Sequence, residues 1–343
     1  MNNLFEKLLN EKHTLLADGA TGTNLFDMGL QSGDAPELWN IDQPQKIARL
    51  YRDFIDAGSD IVLTNTFGGT RYRLKLHNAQ DSVSELNIAA TEILKAEIAN
   101  SDREIITAGS IGPTGEILAP LGDLEPEAAV AAFAEQALAL KAGGADVIWI
   151  ETMSSAEEVE YAVKGAGEAG LPVVFSMSFD TNGRTMMGVG AFDLMSLERN
   201  IRPQVHACGT NCGIGASEVV AAVLNMKSIA IDGRDPVIIA KANCGIPKFV
   251  EGKIVYTGTP EIMANYAVMV RDAGARIIGG CCGTSPVHVR AMRQALDNTA
   301  ISEPPTLDDI DRVLGKVSDG ARAQARGEHA IKARVGGRKR RRR

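Results

Sequence analysis

The chain is short of several residue types that would each have pointed to a different class of protein. Aromatic residues make up only 5% of its 343 positions, and histidine and cysteine number five each. No apolar run reaches the roughly 18 residues needed to cross a bilayer, so no membrane span is expected. Five cysteines give no even disulfide framework, and Met1–Glu6 lack the basic start and apolar stretch of a secretory signal. A reducing cytoplasm is the expected setting, where clustered thiols more often mean metal or catalysis than disulfides. His77, His206 and His288 show no ligand spacing and are assigned no role. A G-x-G-x-x-G turn is missing as well. The segment Asp18–Thr23, reading Asp-Gly-Ala-Thr-Gly-Thr, has the wrong spacing, which excludes a dinucleotide site.

What is present is an ordinary globular composition, 45% hydrophobic and 23% charged, with 35 glycines that fall at segment ends. The net charge of −7 hides an asymmetry. Residues 332–343 carry eight basic side chains and no acid, which leaves −15 on the rest. An acidic body does not attract nucleic acid through its phosphates, so nucleic acid is not an expected partner. The basic end reads as a disordered, solvated tail, with contact to RNA or an acidic partner as the alternative.

The body alternates short apolar runs with helical patterns. The runs are Thr14–Ala20, Asp60–Phe67, Glu104–Ile111, Asp146–Met153, Pro172–Phe179, Gln204–Cys208, Pro236–Ala242 and Arg276–Gly280. Several are apolar on almost every residue, as strands buried on both faces are. Between them lie helix patterns at Gln45–Ala57, Val83–Asn100, Pro126–Gly143, Ala156–Gly170, Leu194–Ile201, Ala216–Ser228, Pro260–Gly274 and Pro286–Asn298. Ser155, Ser217 and Ser285 read as helix caps, and Gly58, Gly144, Gly170 and Gly274 as left-handed helix ends. Eight strand–helix repeats predict an α/β fold, a single (β/α)₈ TIM barrel over residues 1–300. Residues 301–343 read as a C-terminal extension and basic tail, expected to be largely disordered.

In such a barrel the active site forms where the strands end. The out-of-place polar residues gather there: Asp18, Thr64–Thr66, Ser110, Glu151–Thr152, Ser176, Thr210–Cys212, Asn243–Cys244 and Cys281–Cys282. Vicinal cysteines rarely bridge one another, and the flanking glycines leave both sulfurs free to face one point. A third thiolate would complete a three-ligand zinc site with one position open. Cys212 has the right depth, as does Cys244, while Cys208 lies earlier on its strand and would sit deeper. Asp18 and Glu151 suit recognition of an ammonium group, the plain alternative being loop or capping carboxylates.

The string Gly-Gly-Cys-Cys-Gly-Thr-Ser-Pro at 279–286 resembles the homocysteine S-methyltransferase family. So do Asn211-Cys212, the Asp18–Thr23 segment, Asn65–Phe67, Gly109–Pro113 and Glu151-Thr152. The likeness runs from about residue 12 to about 298, and within the family it is nearest to bacterial betaine–homocysteine methyltransferases. It implies a (β/α)₈ barrel, zinc on Cys212, Cys281 and Cys282, and homocysteine as methyl acceptor. It further implies that Asp18, Gly19 and Glu151 hold the amino-acid end, with Asn65 and Phe67 among the substrate contacts. Glycine betaine is the implied donor, with S-methylmethionine or a corrinoid-bound methyl as alternatives. A departure concerns the donor: Gly68 and Gly69 stand where an aromatic would be expected, and Tyr72, Phe179 or Trp39 would have to build the cage differently. A different class is a non-catalytic zinc protein whose tail contacts RNA. Association into a homo-oligomer is compatible with the sequence, whose apolar helix faces would pack on a barrel as readily as on a partner.

Overall fold

Eight short strands follow one another around a barrel, each buried and each too apolar to face water on either side. The computed structural model describes residues 3–179, 182–229, 235–245, 247–250 and 253–328. Helix α1 (Leu4–Glu11) leads into β1 (Leu15–Leu16), and α2 (Thr21–Asp27), α3 (Trp39–Asp42) and α4 (Pro44–Asp56) lead on to β2 (Ile61–Leu63). Then come α5 (Arg71–Lys75), α6 (Val83–Ile98), β3 (Ile106–Ile111), α7 (Pro126–Ala142), β4 (Val147–Met153), α8 (Ala156–Gly167) and β5 (Val173–Met177). The chain continues through α9 (Ala191–Asn200), β6 (Ala207–Cys212), α10 (Ala216–Lys227), β7 (Ile238–Ala242) and a hairpin, β8 (Pro247–Val250) with β9 (Lys253–Tyr256). It ends with α11 (Pro260–Asp272), β10 (Ile277–Gly280), α12 (Pro286–Asn298), α13 (Leu307–Leu314) and α14 (Asp319–Ala325).

The sheet order is β1-β10-β7-β6-β5-β4-β3-β2, all parallel, and a parallel bridge between Ala17 and Ile61 joins its two ends. This is the (β/α)₈ barrel that the alternation predicts. Asp60 closes the seam: its Oδ2 accepts from Leu16 N at 2.9 Å, and Lys12 and Arg293 neutralise the carboxylate. The helix-ending glycines adopt the left-handed conformation expected of them, with φ +103° at Gly58, +100° at Gly144, +64° at Gly170 and +110° at Gly274.

Strand side chains alternate between two apolar compartments. Leu15, Ala17, Ile61, Leu63, Ile106, Ala108, Val147, Trp149, Val174, Ala207, Ile239 and Ile277 fill the barrel interior, while their neighbours pack under the helices. The interior cluster also contains Phe5 and Leu8 of α1, which therefore plugs the end opposite the strand termini. Among the described residues no helix is long and apolar enough to cross a membrane.

Strand β6 runs to Cys212, where its polar end is expected, and Gly209 lets it lie against β7; a Cβ there would meet Ile239 O at 2.0 Å. Two features differ from the sequence expectation. The β8–β9 hairpin was not anticipated. Residues 301–328 are not largely disordered: α13 and α14 form there, α13 with a Thr306–Asp309 capping box, and Ile310, Val317 and Ala321 are buried. Gln324 of α14 ties this extension to the barrel, donating to Gly183 O and accepting from Ala191 N. The basic tail expected at 332–343 lies outside the described residues.

Because α1 closes the interior with one large apolar side chain, Phe5→Ala is expected to lower unfolding stability by about 3–5 kcal/mol. Urea unfolding checks this; a loss below about 1 kcal/mol would show that α1 is peripheral.

Candidate metal centre and substrate site

At the carboxyl ends of β6 and β10 three thiols meet. Cys212 ends β6 in a left-handed conformation (φ +62°), which turns the chain sharply into Gly213. Cys281 and Cys282 follow β10 in a tight turn: Cys281 N donates to Ala242 O at 2.7 Å, and Thr284 N donates back to Cys281 O at 3.0 Å. Glycine is required on both sides of the pair. A Cβ at Gly280 would lie 2.4 Å from Thr284 Oγ1, and Gly283 has φ +78° with the Tyr256 ring packed onto it. The three Sγ atoms lie within 4.8 Å of one another, all half-buried and none in a disulfide.

This donor set fits a soft divalent cation such as zinc. Without a cation the thiols resist ionisation. Contact with Cys281 pulls Cys212 down, but contact with Cys282 and burial outweigh it, and the thiol is pushed up to about 11. Cys212 likewise pulls Cys282 down, against its neighbour Cys281 and burial, leaving it pushed up to about 12. Cys281 is raised furthest, through its contact with Cys212. A divalent cation removes this mutual penalty, and among the described residues this is the one cluster of its kind. Cys208 faces the helix-side core, fully buried; Cys244 is buried too, and neither joins the cluster.

Below the thiols the last inward-facing layer of the barrel is polar. Ser110 of β3, Glu151 of β4, Ser176 of β5, Asn211 of β6, Lys241 of β7 and Asp18 after β1 are all buried. Lys241 Nζ donates to Asp18 Oδ1 at 2.9 Å, both side chains being 2–3% exposed, and lies 5.6 Å from the Trp149 ring. Asp18 Oδ2 accepts from Leu63 N, and Glu151 Oε1 accepts from Ser110 Oγ at 2.7 Å. Burial opposes the Lys241 charge, but the Asp18 and Glu151 carboxylates outweigh it and raise its pKa. Burial raises Glu151 above the usual carboxylate range, with Lys241 and Ser110 offsetting part of the effect. Two carboxylates against one ammonium leave one net negative charge when all three are ionised, so the layer favours a further cation.

The structure brings together Asp18, Glu151 and the three cysteines. Gly19 serves by having no side chain, since a Cβ would meet Thr284 O at 2.4 Å. Phe67, 37% exposed, stands at the end of β2 with its ring over Gly112. Asn65 is committed elsewhere: its Nδ2 donates to Pro36 O and Asn40 Oδ1, holding the loop before α3. Of the candidate cage residues, Phe179 is buried in the helix-side core, Trp39 lies beneath Lys46, and Tyr72 borders a groove with Arg71 and Glu135. Three residues were given no role of their own in the sequence. Lys241 was signalled by a lone charge in the apolar run Ile238–Ala242. Tyr256, whose hydroxyl reaches Cys282, sits in the unanticipated hairpin and had no signal. Asn211 was seen only as a motif neighbour of Cys212.

In the metal-free protein, three thiols should react with an aromatic disulfide reagent and the remaining two, Cys208 and Cys244, only after denaturation. Because the reactive thiols are raised, the rate should climb about tenfold per pH unit from pH 7 to 10. Five equally fast thiols would contradict the cluster.

The sequence model of the homocysteine S-methyltransferase family matches residues 15–296. The methionine synthase of Mycobacterium tuberculosis is 29% identical over 304 residues, 84% of this chain and 25% of that protein. The methionine synthase of Mycobacterium leprae is 28% identical over 302 residues, 83% and 24% respectively. The chain thus spans about a quarter of the length of these curated relatives. Among solved structures, the homocysteine methyltransferase MmuM from Escherichia coli in its oxidized form matches with a TM-score of 0.69 at 25% identity, covering 85% of this chain and 99% of that one. Its metallated form has the same fold, with a TM-score of 0.68 at 24% identity and the same coverage.

Proposed function

The chain belongs to the homocysteine S-methyltransferase family, and from that premise we propose that it transfers a methyl group from glycine betaine to the thiol of homocysteine with zinc on Cys212, Cys281 and Cys282. The observation that carries this reading is the placement of three converging thiols above a buried layer with one excess carboxylate. Bound there, zinc would supply a Lewis acid that favours the thiolate form of a substrate sulfur near neutral pH. Asp18 and Glu151 attract the substrate ammonium, and Lys241 offsets part of the burial that raises the Asp18 carboxyl. The substrate sulfur then attacks the methyl carbon in line, the carbon–nitrogen bond breaks, and its electron pair stays on nitrogen. The products are methionine and dimethylglycine.

For the donor, Phe67 and Tyr256 are the rings whose strand-end positions support a cation–π contact with a quaternary ammonium. A second reading, a corrinoid-bound methyl delivered by a separate protein, draws on another observation. Ile117 and Leu121, in the loop between β3 and α7, are 66% and 87% exposed, and Met186 and Met187, between β5 and α9, are 76% and 65% exposed. Such side chains on the strand-end loops suit a macromolecular donor.

Purified protein with zinc and homocysteine, offered glycine betaine, S-methylmethionine or methylcobalamin in turn, tests the reading. Methionine formed from betaine is the expected result, formation from methylcobalamin alone favours the second reading, and none from any donor removes both. Cys282→Ser should strip zinc and abolish turnover while leaving the far-ultraviolet circular dichroism unchanged; full zinc content in that variant would refute the ligand assignment.

A further inference from the structure

Asn211 of β6 is fully buried, and its amide reaches β4, β5 and the turn after β10. Its Oδ1 accepts from Thr152 N of β4 at 2.8 Å and from Ser176 Oγ of β5 at 2.7 Å. Its Nδ2 donates to Thr152 Oγ1 at 2.7 Å and points at Cys281 Sγ, after β10, at 3.8 Å. Thr152 is an unusual residue to hold. It has φ +64°, a conformation that β-branched side chains rarely adopt, and the pairing of β4 with β5 slips between Ile150 and Met153. The slip is a bulge, and Glu151 sits on it, turned toward Ser110.

We propose that Asn211 is a positioning residue joining the two halves of the acceptor site: its oxygen locks the β4 bulge that presents Glu151, and its nitrogen aims a donor at Cys281 of the thiol cluster. The proposal rests on the acceptor-site reading above. A carboxamide accepts on one atom and donates on the other, which neither leucine nor aspartate of similar size can do. Without Oδ1 the Thr152 N–H loses its partner inside the barrel, and the strained conformation loses what holds it. Without Nδ2 the sulfur of Cys281 loses the outer hydrogen bond that fixes its direction, the kind of support that tunes metal affinity. The distance between the amino-acid end and the sulfur end of the substrate would then be set by this one side chain, which also follows directly on to the ligand Cys212.

The two roles are separable by experiment. Asn211→Leu removes both functions of the amide, and Asn211→Ser, small enough to admit water, serves should the leucine variant fold poorly. Thr152→Gly takes positive φ without strain and so removes the need for the lock. Zinc retention against a chelator, homocysteine KM and kcat, and the melting temperature of the metal-free protein are measured for the parent, each Asn211 variant, and each combined with Thr152→Gly. The Asn211 variants should bind zinc about 10–100-fold more weakly, and homocysteine KM should rise about tenfold. Adding Thr152→Gly should restore KM but not zinc affinity, because the donor to Cys281 is still missing. Unchanged zinc affinity and KM in the Asn211 variants, or a Thr152→Gly change that restores both or neither, overturns the proposal. A parent that neither retains zinc nor methylates homocysteine overturns the underlying reading instead, and the proposal with it.

Discussion

A buried charge must be paired, and the open end of this barrel buries three ionisable side chains. Lys241 lies against Asp18 and within the field of Glu151, with the Trp149 ring below it and almost no access to water. That group marks the boundary between an apolar core, sealed at the other end by α1, and a polar layer that faces the strand termini. Removing Lys241 would leave two buried carboxyl groups without a counter-charge in a low-dielectric interior, which costs more than the pair contributes. The pair therefore defines a fixed electrostatic floor, and the proposed chemistry takes place above it.

The thiol cluster follows from the same strand ends. Strands β6 and β10 flank β7, so residues leaving the barrel at Cys212 and at Cys281–Cys282 come close without any long loop. The turn that carries Cys281 and Cys282 is made possible by missing side chains, at Gly19 against Thr284 and at Gly280 against the same residue. Raised thiol pKa values are the electrostatic counterpart of that crowding, and a bound cation relieves them. On the proposed reading the substrate ammonium finds its counter-charge in the floor, and the substrate sulfur finds its place beside the thiols.

Much of this was legible in the sequence because it rests on local pattern. Continuous apolar runs followed by amphipathic helices gave the barrel, and polar residues at run ends gave the face that carries the site. Gly58 and Gly144 were readable as helix ends because a left-handed residue leaves few alternatives to glycine. What escaped depended on tertiary contact. The apolar run Gln204–Cys208 gave no sign that Gly209 is what lets β6 lie against β7. Helix α13 does carry Leu307, Ile310 and Leu314 at helical spacing behind a Thr306–Asp309 capping box, but over only eight residues that pattern was lost among its charges. Tyr256 lies in a hairpin inserted between β7 and α11, and only the folded chain carries it to Cys282. Asn65 matched the motif as a substrate contact, yet its amide is spent on Pro36 and Asn40.

X-ray absorption at the zinc edge, recorded on the zinc-loaded protein before and after adding homocysteine, tests the central claim most directly. The account predicts three sulfur neighbours and one lighter atom beforehand, at about 2.3 Å and about 2.0–2.2 Å, and four sulfur neighbours afterwards. A sulfur count that does not change when homocysteine is added, or a first shell made mainly of nitrogen and oxygen, would contradict it.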